Sequence, residues 1–131
     1  MSRMEENKTI FESWRGDQHN KTFVRFQLFQ FGRDMILLIG GGMRHIGSVA
    51  ASDDGASTIR QFTIAGHKED QIVKQAVEIL SPLISGEILV IGGIHYDNIT
   101  PEQIRRIQKN CSELLGDMTA YLAGQPVTPS H

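Results

Sequence analysis

From Thr22 to Phe31 (TFVRFQLFQF) apolar and polar positions alternate with a period of two, which predicts a strand carrying Val24, Phe26 and Leu28 on its buried face. A turn at Gly32-Arg33-Asp34 follows. Met35 to Ile39 (MILLI) is unbroken apolar sequence, as expected of a central strand covered on both faces, and three glycines then interrupt it. Ile46 to Ala51 and Thr58 to Ile64 read as further strands around the turn signal Ser52-Asp53-Asp54-Gly55, so four strands joined by short turns suggest an antiparallel meander. From His67 the period lengthens: Ile72, Val73, Ala76, Val77, Leu80 and Leu83 mark one face of a helix, with Glu69 and Asp70 in the first turn, where acidic groups suit the helix dipole.

Glu87 to Ile91 is another buried-strand candidate. After it comes the strongest local signal in the chain. In Ile99-Thr100-Pro101-Glu102-Gln103-Ile104, Thr100 suits an N-cap, Pro101 the first helical position, Gln103 the partner in a capping box, and Ile99 can staple onto Ile104. The helix that follows has a stripe of Ile104, Ile107, Cys111, Leu114, Leu115, Met118, Tyr121 and Leu122 and stops at Gly124, before Pro126 and Pro129.

Together these elements predict an α/β (α+β) chain: a two-layer sandwich with a mixed, mostly antiparallel sheet of five or six strands and two helices. At 131 residues one domain is expected, spanning 22–124. Residues 1–21 read as a partly ordered extension, a mobile tail ending in a segment that packs locally, and 125–131 as a disordered tail. Thirteen basic and fifteen acidic residues leave a net charge of -2, so no single-sign field favours nucleic acid or an anionic bilayer. A single cysteine, Cys111, suits a reducing compartment, and the absence of a signal-peptide pattern or membrane-length apolar run points to the cytoplasm.

The chemistry concentrates around glycine. Seven of the thirteen glycines (Gly40, Gly41, Gly42, Gly47, Gly66, Gly92 and Gly93) lie within five residues of His45, His67 or His95. Glycine lets backbone approach a ligand closely, although each cluster alone also fits a bulge or a turn. Backbone N–H groups there, with Arg44 and Lys68 beside them, can hold a phosphate. Neither a GxGxxG fingerprint nor a Walker A loop is present, since His45 stands where the third glycine would fall and Ser48 where the lysine would. His45, His67, His95 and Asp97 could instead ligate a divalent metal in a metal-dependent enzyme, but no short-range ligand pair supports that reading. No GxSxG elbow marks Ser48 as a nucleophile, and Cys111 lies on an apolar stripe. Asp97 and Asn98 equally suit the turn that leads into the last helix.

Three segments carry a resemblance: Gly41-Gly42 with His45-Ile46-Gly47, then Gly66-His67-Lys68-Glu69, then Gly93-Ile94-His95-Tyr96-Asp97-Asn98-Ile99. In order and spacing the chain resembles the LpdD-type prenylated-flavin chaperones, which are associated with UbiD-type decarboxylases and related in fold to proteasome assembly chaperones. The resemblance implies a homodimer that binds prenylated FMN, or FMN, and assists its delivery to an apo-decarboxylase without catalysing decarboxylation. It further implies that Gly41, Gly42, His45, His67, His95, Asp97 and Asn98 contact the ligand or shape its site. A protein-only assembly factor is the reading suggested by the wider fold family. A prenylated flavin needs an apolar slot and a donor-rich corner, and Phe29, Phe31 and Met43 either furnish the slot or belong to the core, the core being expected of Phe29 and Phe31.

Overall fold

The computed structural model describes residues 7–43, 45–53, 58–64 and 69–124. Six strands, β1 (Asn7–Arg15), β2 (Val24–Phe31), β3 (Asp34–Gly42), β4 (Ser48–Asp53), β5 (Thr58–Thr63) and β6 (Ile88–His95), form one sheet in the order β1-β2-β3-β6-β4-β5. Two helices, α1 (Asp70–Leu80) and α2 (Pro101–Leu122), complete the fold, and a 3₁₀ turn at Ser81–Leu83 follows α1. The α+β architecture and the mixed sheet agree with the sequence pattern.

The order of the strands differs from a meander. The chain passes through β4, β5 and α1 before β6 returns and inserts between β3 and β4. β6 is parallel to β3 and antiparallel to β4, whereas β1-β2, β2-β3 and β4-β5 are antiparallel hairpin pairs. Short turns alone could not show that the strand after α1 would displace the sequential neighbour. The β2-β3 hairpin closes with Phe31 opposite Asp34, and Gly32 at φ +62° takes the first turn position, where a side chain would be strained.

Two further features depart from the pattern. Residues 7–15, within the predicted extension, form the edge strand β1, paired with β2 through a register shift between Thr9 and Phe11. The glycines after Ile39 do not end β3, which runs on to Gly42. Residues 125–131, expected to be a disordered tail, lie outside the described residues.

Both helices cover the same face. α1 packs on β4, β5 and β6, and α2 on β1 and β2. The fully buried strand residues Val24, Phe26, Leu28, Leu37, Ala50 and Val90 pair across the sheet on that face and meet Val73, Val77, Leu80, Leu114 and Met118 from the helices. Thr100 and Gln103 form the expected capping box: Thr100 Oγ1 accepts from the Gln103 N–H at 3.1 Å, and Gln103 Oε1 accepts from the Thr100 N–H at 2.9 Å. Gln103 Nε2 also donates to Asn20 O at 2.9 Å, and the buried Asn110 amide donates to Thr22 O at 2.9 Å, so α2 is tied to the β1-β2 loop by polar contacts that the apolar stripe does not reveal. Ile104 and Tyr121, placed on that stripe by sequence, are 37% and 41% exposed.

Candidate functional site

β3 and β6 are the parallel pair, and their glycine-rich ends lie side by side: Ile39 opposite Gly92, Gly40 opposite Gly93, Gly41 opposite Ile94 and Gly42 opposite His95. The chain's own backbone occupies much of the space these glycines leave. A Cβ on Gly93 would stand 1.5 Å from His45 O, one on Gly41 2.4 Å from Phe23 O, and one on Gly42, at φ +63°, 2.1 Å from His95 O. On Gly92 it would meet Val73 Cγ1 at 2.8 Å, so this glycine lets α1 sit close to the sheet. These glycines therefore serve internal packing first, and through it they bring the histidine segments together.

With His45 laid across Gly93, its ring lies edge-on to that of His95, with centroids 5.9 Å apart. His95 Nε2 is 3.0 Å from Asp97 Oδ1, an exposed pair. The backbone carbonyl of Asp97 accepts from Lys21 Nζ at 2.6 Å, and Asn98 takes a left-handed φ of 55°, in line with the turn reading of these two residues. The fold thus gathers Gly41, Gly42, His45, His95 and Asp97 at one end of the sheet. Arg44, His67 and Lys68 lie outside the described residues. Among the described residues no group of three or more His, Cys, Asp or Glu side chains is placed to hold a metal ion.

On the helix-covered side of the same strand end, a cleft of about 620 Å³ opens between α1 and α2. Ile72 on α1, Ile104 and Ile107 on α2, and Ile94 and Ile99 give it apolar walls. Gln71, Gln75 and Gln108 bring carboxamides to it, and His95 and Tyr96 border it. The sequence pattern does not single out these glutamines, although Gln71 and Gln75 are four residues apart and so share a helix face.

Glu69, expected to serve the helix dipole, is instead buried at 8% exposure at the head of α1, and its Oε1 accepts from the Ile94 N–H at 3.0 Å. This charge-assisted bond ties the start of α1 to β6 and shapes the inner end of the cleft. The Tyr96 hydroxyl donates to Phe23 O at 2.7 Å, and burial raises its pKa above the usual tyrosine value. Cys111 also lines the cleft; burial, with the Glu69 charge adding to it, pushes its thiol up to about 12, which removes it as a nucleophile. The buried Ser48 hydroxyl pairs with Thr63 Oγ1 at 2.8 Å.

Phe29 and Phe31 belong to neither the core nor the cleft. Their strand parity puts them on the face opposite the helices, with Phe31 58% exposed, and Met43 is 70% exposed. The continuous apolar run of β3 also predicted cover on both faces of that strand, but neither α1 nor α2 covers the second face.

Both helices lie on one side of the sheet, and a part-apolar cleft opens beside the ends of its parallel strands, so the class is an α+β fold with a candidate ligand cleft. More specifically, the chain belongs to the LpdD-like prenylated flavin chaperone family, whose domain pattern matches residues 18–123. No curated protein matches the chain. It is similar to a chain in the crystal structure of a chaperone complex for yeast 20S proteasome assembly, with a TM-score of 0.46 and 12% identity over 85% of this chain and 96% of that one.

Proposed function

We propose that this protein is a non-catalytic carrier that binds prenylated FMN, or FMN, and delivers it to a UbiD-type aromatic acid decarboxylase, working as a homodimer in the cytoplasm. The observation that carries the reading is the α1/α2 cleft. Its volume of about 620 Å³ lies within the roughly 300–1,000 Å³ of small-molecule sites. Ile72, Ile94, Ile99, Ile104 and Ile107 suit a fused apolar ring system, and the carboxamides of Gln71, Gln75 and Gln108 can both donate to and accept from the amide-like edge of a flavin pyrimidine ring. The described lining contains no lysine or arginine, so the phosphate requires a cation from outside it; Arg44 and Lys68 flank the site segments in sequence and are the candidates. His95 borders this cleft; His45 and Asp97, which lie against His95, and Gly41 and Gly42 at the same strand end are assigned to the site by the family resemblance. His67 and Asn98 are assigned to the same site by the family resemblance.

Release of the cargo to an apo-enzyme asks for moderate affinity.

The test is a fluorescence and absorbance titration of the purified chain with FMN and with prenylated FMN, alongside Ile104→Asp and His95→Ala. A carboxylate placed in the apolar wall is expected to weaken flavin binding at least tenfold, and both variants should keep the wild-type circular dichroism spectrum. Loading of an apo-decarboxylase should be faster with the flavin-bound chain than with flavin alone. A folded wild-type chain that binds neither flavin, or an Ile104→Asp variant that binds as tightly as wild type, overturns the proposal.

A further inference from the structure

The loop between β1 and β2 is held in one shape by its own residues and by α2. Gly16, at φ +88°, and Lys21, at φ +59°, both take left-handed backbone conformations. The Asp17 side chain accepts from the His19 N–H at 2.9 Å and from Asn20 Nδ2 at 3.2 Å. The Lys21 N–H donates to Gln18 O at 3.1 Å and the Thr22 N–H to Asp17 O at 3.0 Å. With Asn20 O and Thr22 O bonded to Gln103 and Asn110 of α2, the loop cannot shift without disturbing that helix.

From this fixed base the partly buried Lys21 reaches the turn between β6 and α2, where its Nζ donates to Asp97 O at 2.6 Å. Residues on both sides of that carbonyl, Tyr96 and Ile99, line the α1/α2 cleft, as does His95. An ammonium has three N–H donors, and this one spends a single donor on Asp97 O. Among the described residues no carboxylate lies within ion-pair distance of it: the Asp97 side chain is turned to His95 Nε2 at 3.0 Å, and that of Asp17 to its own loop. The edge of the cleft therefore carries a preset cation that no described carboxylate balances.

We infer that Lys21 binds the terminal phosphate of the flavin and so makes the cleft select phosphorylated flavins over their dephosphorylated forms. The inference rests on the proposed flavin function and adds to it a specificity-determining residue outside the glycine and histidine segments. The isoleucines and carboxamides of the cleft face a ring system that both forms share, so they cannot tell the two apart. A phosphate at the cleft edge takes the remaining N–H donors of Lys21 in charge-assisted bonds. Like Arg44 and Lys68, Lys21 stands outside the cleft lining, but its amine is placed by a described contact. The fixed shape of the loop lowers the ordering cost of holding the anion.

Fluorescence titration of the full chain with FMN and prenylated FMN, each against the same flavin stripped of its phosphate, tests this in wild type, Lys21→Met and Lys21→Arg. Methionine keeps an unbranched stem without the charge, so the circular dichroism spectrum should match wild type. Lys21→Gln, also uncharged, gives the same reading should the methionine variant not fold. Wild type is expected to bind the phosphorylated form about ten- to a hundredfold more tightly, as charge-assisted bonds to one phosphate supply. Lys21→Met should lose most of that margin while binding the dephosphorylated flavin as wild type does, and Lys21→Arg should keep most of it. If Lys21 only braces the turn through Asp97 O, Lys21→Met weakens both forms alike, and that result overturns the inference. An undiminished preference in Lys21→Met overturns it too. A wild type that binds no flavin refutes the proposed function and the inference with it, whereas flavin binding without phosphate selectivity leaves the function standing and removes the role of Lys21 alone.

Discussion

Gly93→Ala tests the packing that assembles the histidine end of the sheet. The added Cβ would stand 1.5 Å from His45 O, and ordinary contact begins near 3.4 Å, so the 45–47 segment and β6 must separate by about 1.9 Å. None of the obstacles is a flexible side-chain tip; the atoms in the way are the backbone O, C and N of His45. That segment is held by Gly47 N–H donating to Gly92 O at 2.8 Å and by Ile64 N–H donating to Gly47 O at 2.8 Å. Losing or stretching two such bonds costs about 1–3 kcal/mol, and overpacking adds about 1–3 kcal/mol, so a destabilisation of roughly 2–6 kcal/mol is expected. For a chain of this length that lowers Tm by roughly 7–22 °C.

Thermal unfolding followed by circular dichroism measures it, with Gly116→Ala as the internal reference. Gly116 lies within α2, and a Cβ added there would meet no atom within 4 Å, so alanine should stabilise by about 0.5–1 kcal/mol. If Gly93→Ala unfolds within about 1 kcal/mol of wild type, the argument that the chain's own backbone fills this glycine's space is refuted. The substitution should also displace His45 from the His95 ring, visible as a change in the imidazole resonances of both residues.

Two further outcomes follow from other parts of the fold. Thr100→Ala removes one half of the capping box and should cost about 1 kcal/mol in urea-induced unfolding, with an unchanged m-value. The Cys111 thiol, raised by burial from 9.0 to about 12, keeps its proton in the folded chain where the unfolded chain loses it; its contribution to stability is therefore complete below pH 9 and declines as pH rises from 9 towards 12. Wild type should lose up to about 1.4 kcal/mol per pH unit in that window relative to Cys111→Ala, and equal slopes in denaturant titrations of the two would disprove the assignment.

The local elements were legible because short-range physics decides them. Alternation marked β2, the three-to-four spacing marked both helices, and Thr100-Pro101-Glu102-Gln103 specified the start of α2 to the residue. The candidate site was legible in part: glycine and histidine clustering pointed to one end of the sheet, and His45, His95 and Asp97 do meet there. What the glycines do was not legible, because a bare backbone looks the same in sequence whether a ligand or a neighbouring strand fills it. The Gln71, Gln75 and Gln108 border of the cleft was missed because its two walls come from helices separated by a strand, and only their packing makes them face each other.

The sequence by itself determined β2 to β6, both helices, the cap of α2 and the apolar character of β3. Tertiary structure decided that β6 inserts between β3 and β4, that residues 7–15 add an edge strand, and that both helices take one face and leave Phe29, Leu38, Ile91 and Phe62 outside the core. The physical reason is that periodicity reports which side chains avoid water, whereas strand order and the partner on each face are set by long-range pairing that no local window contains.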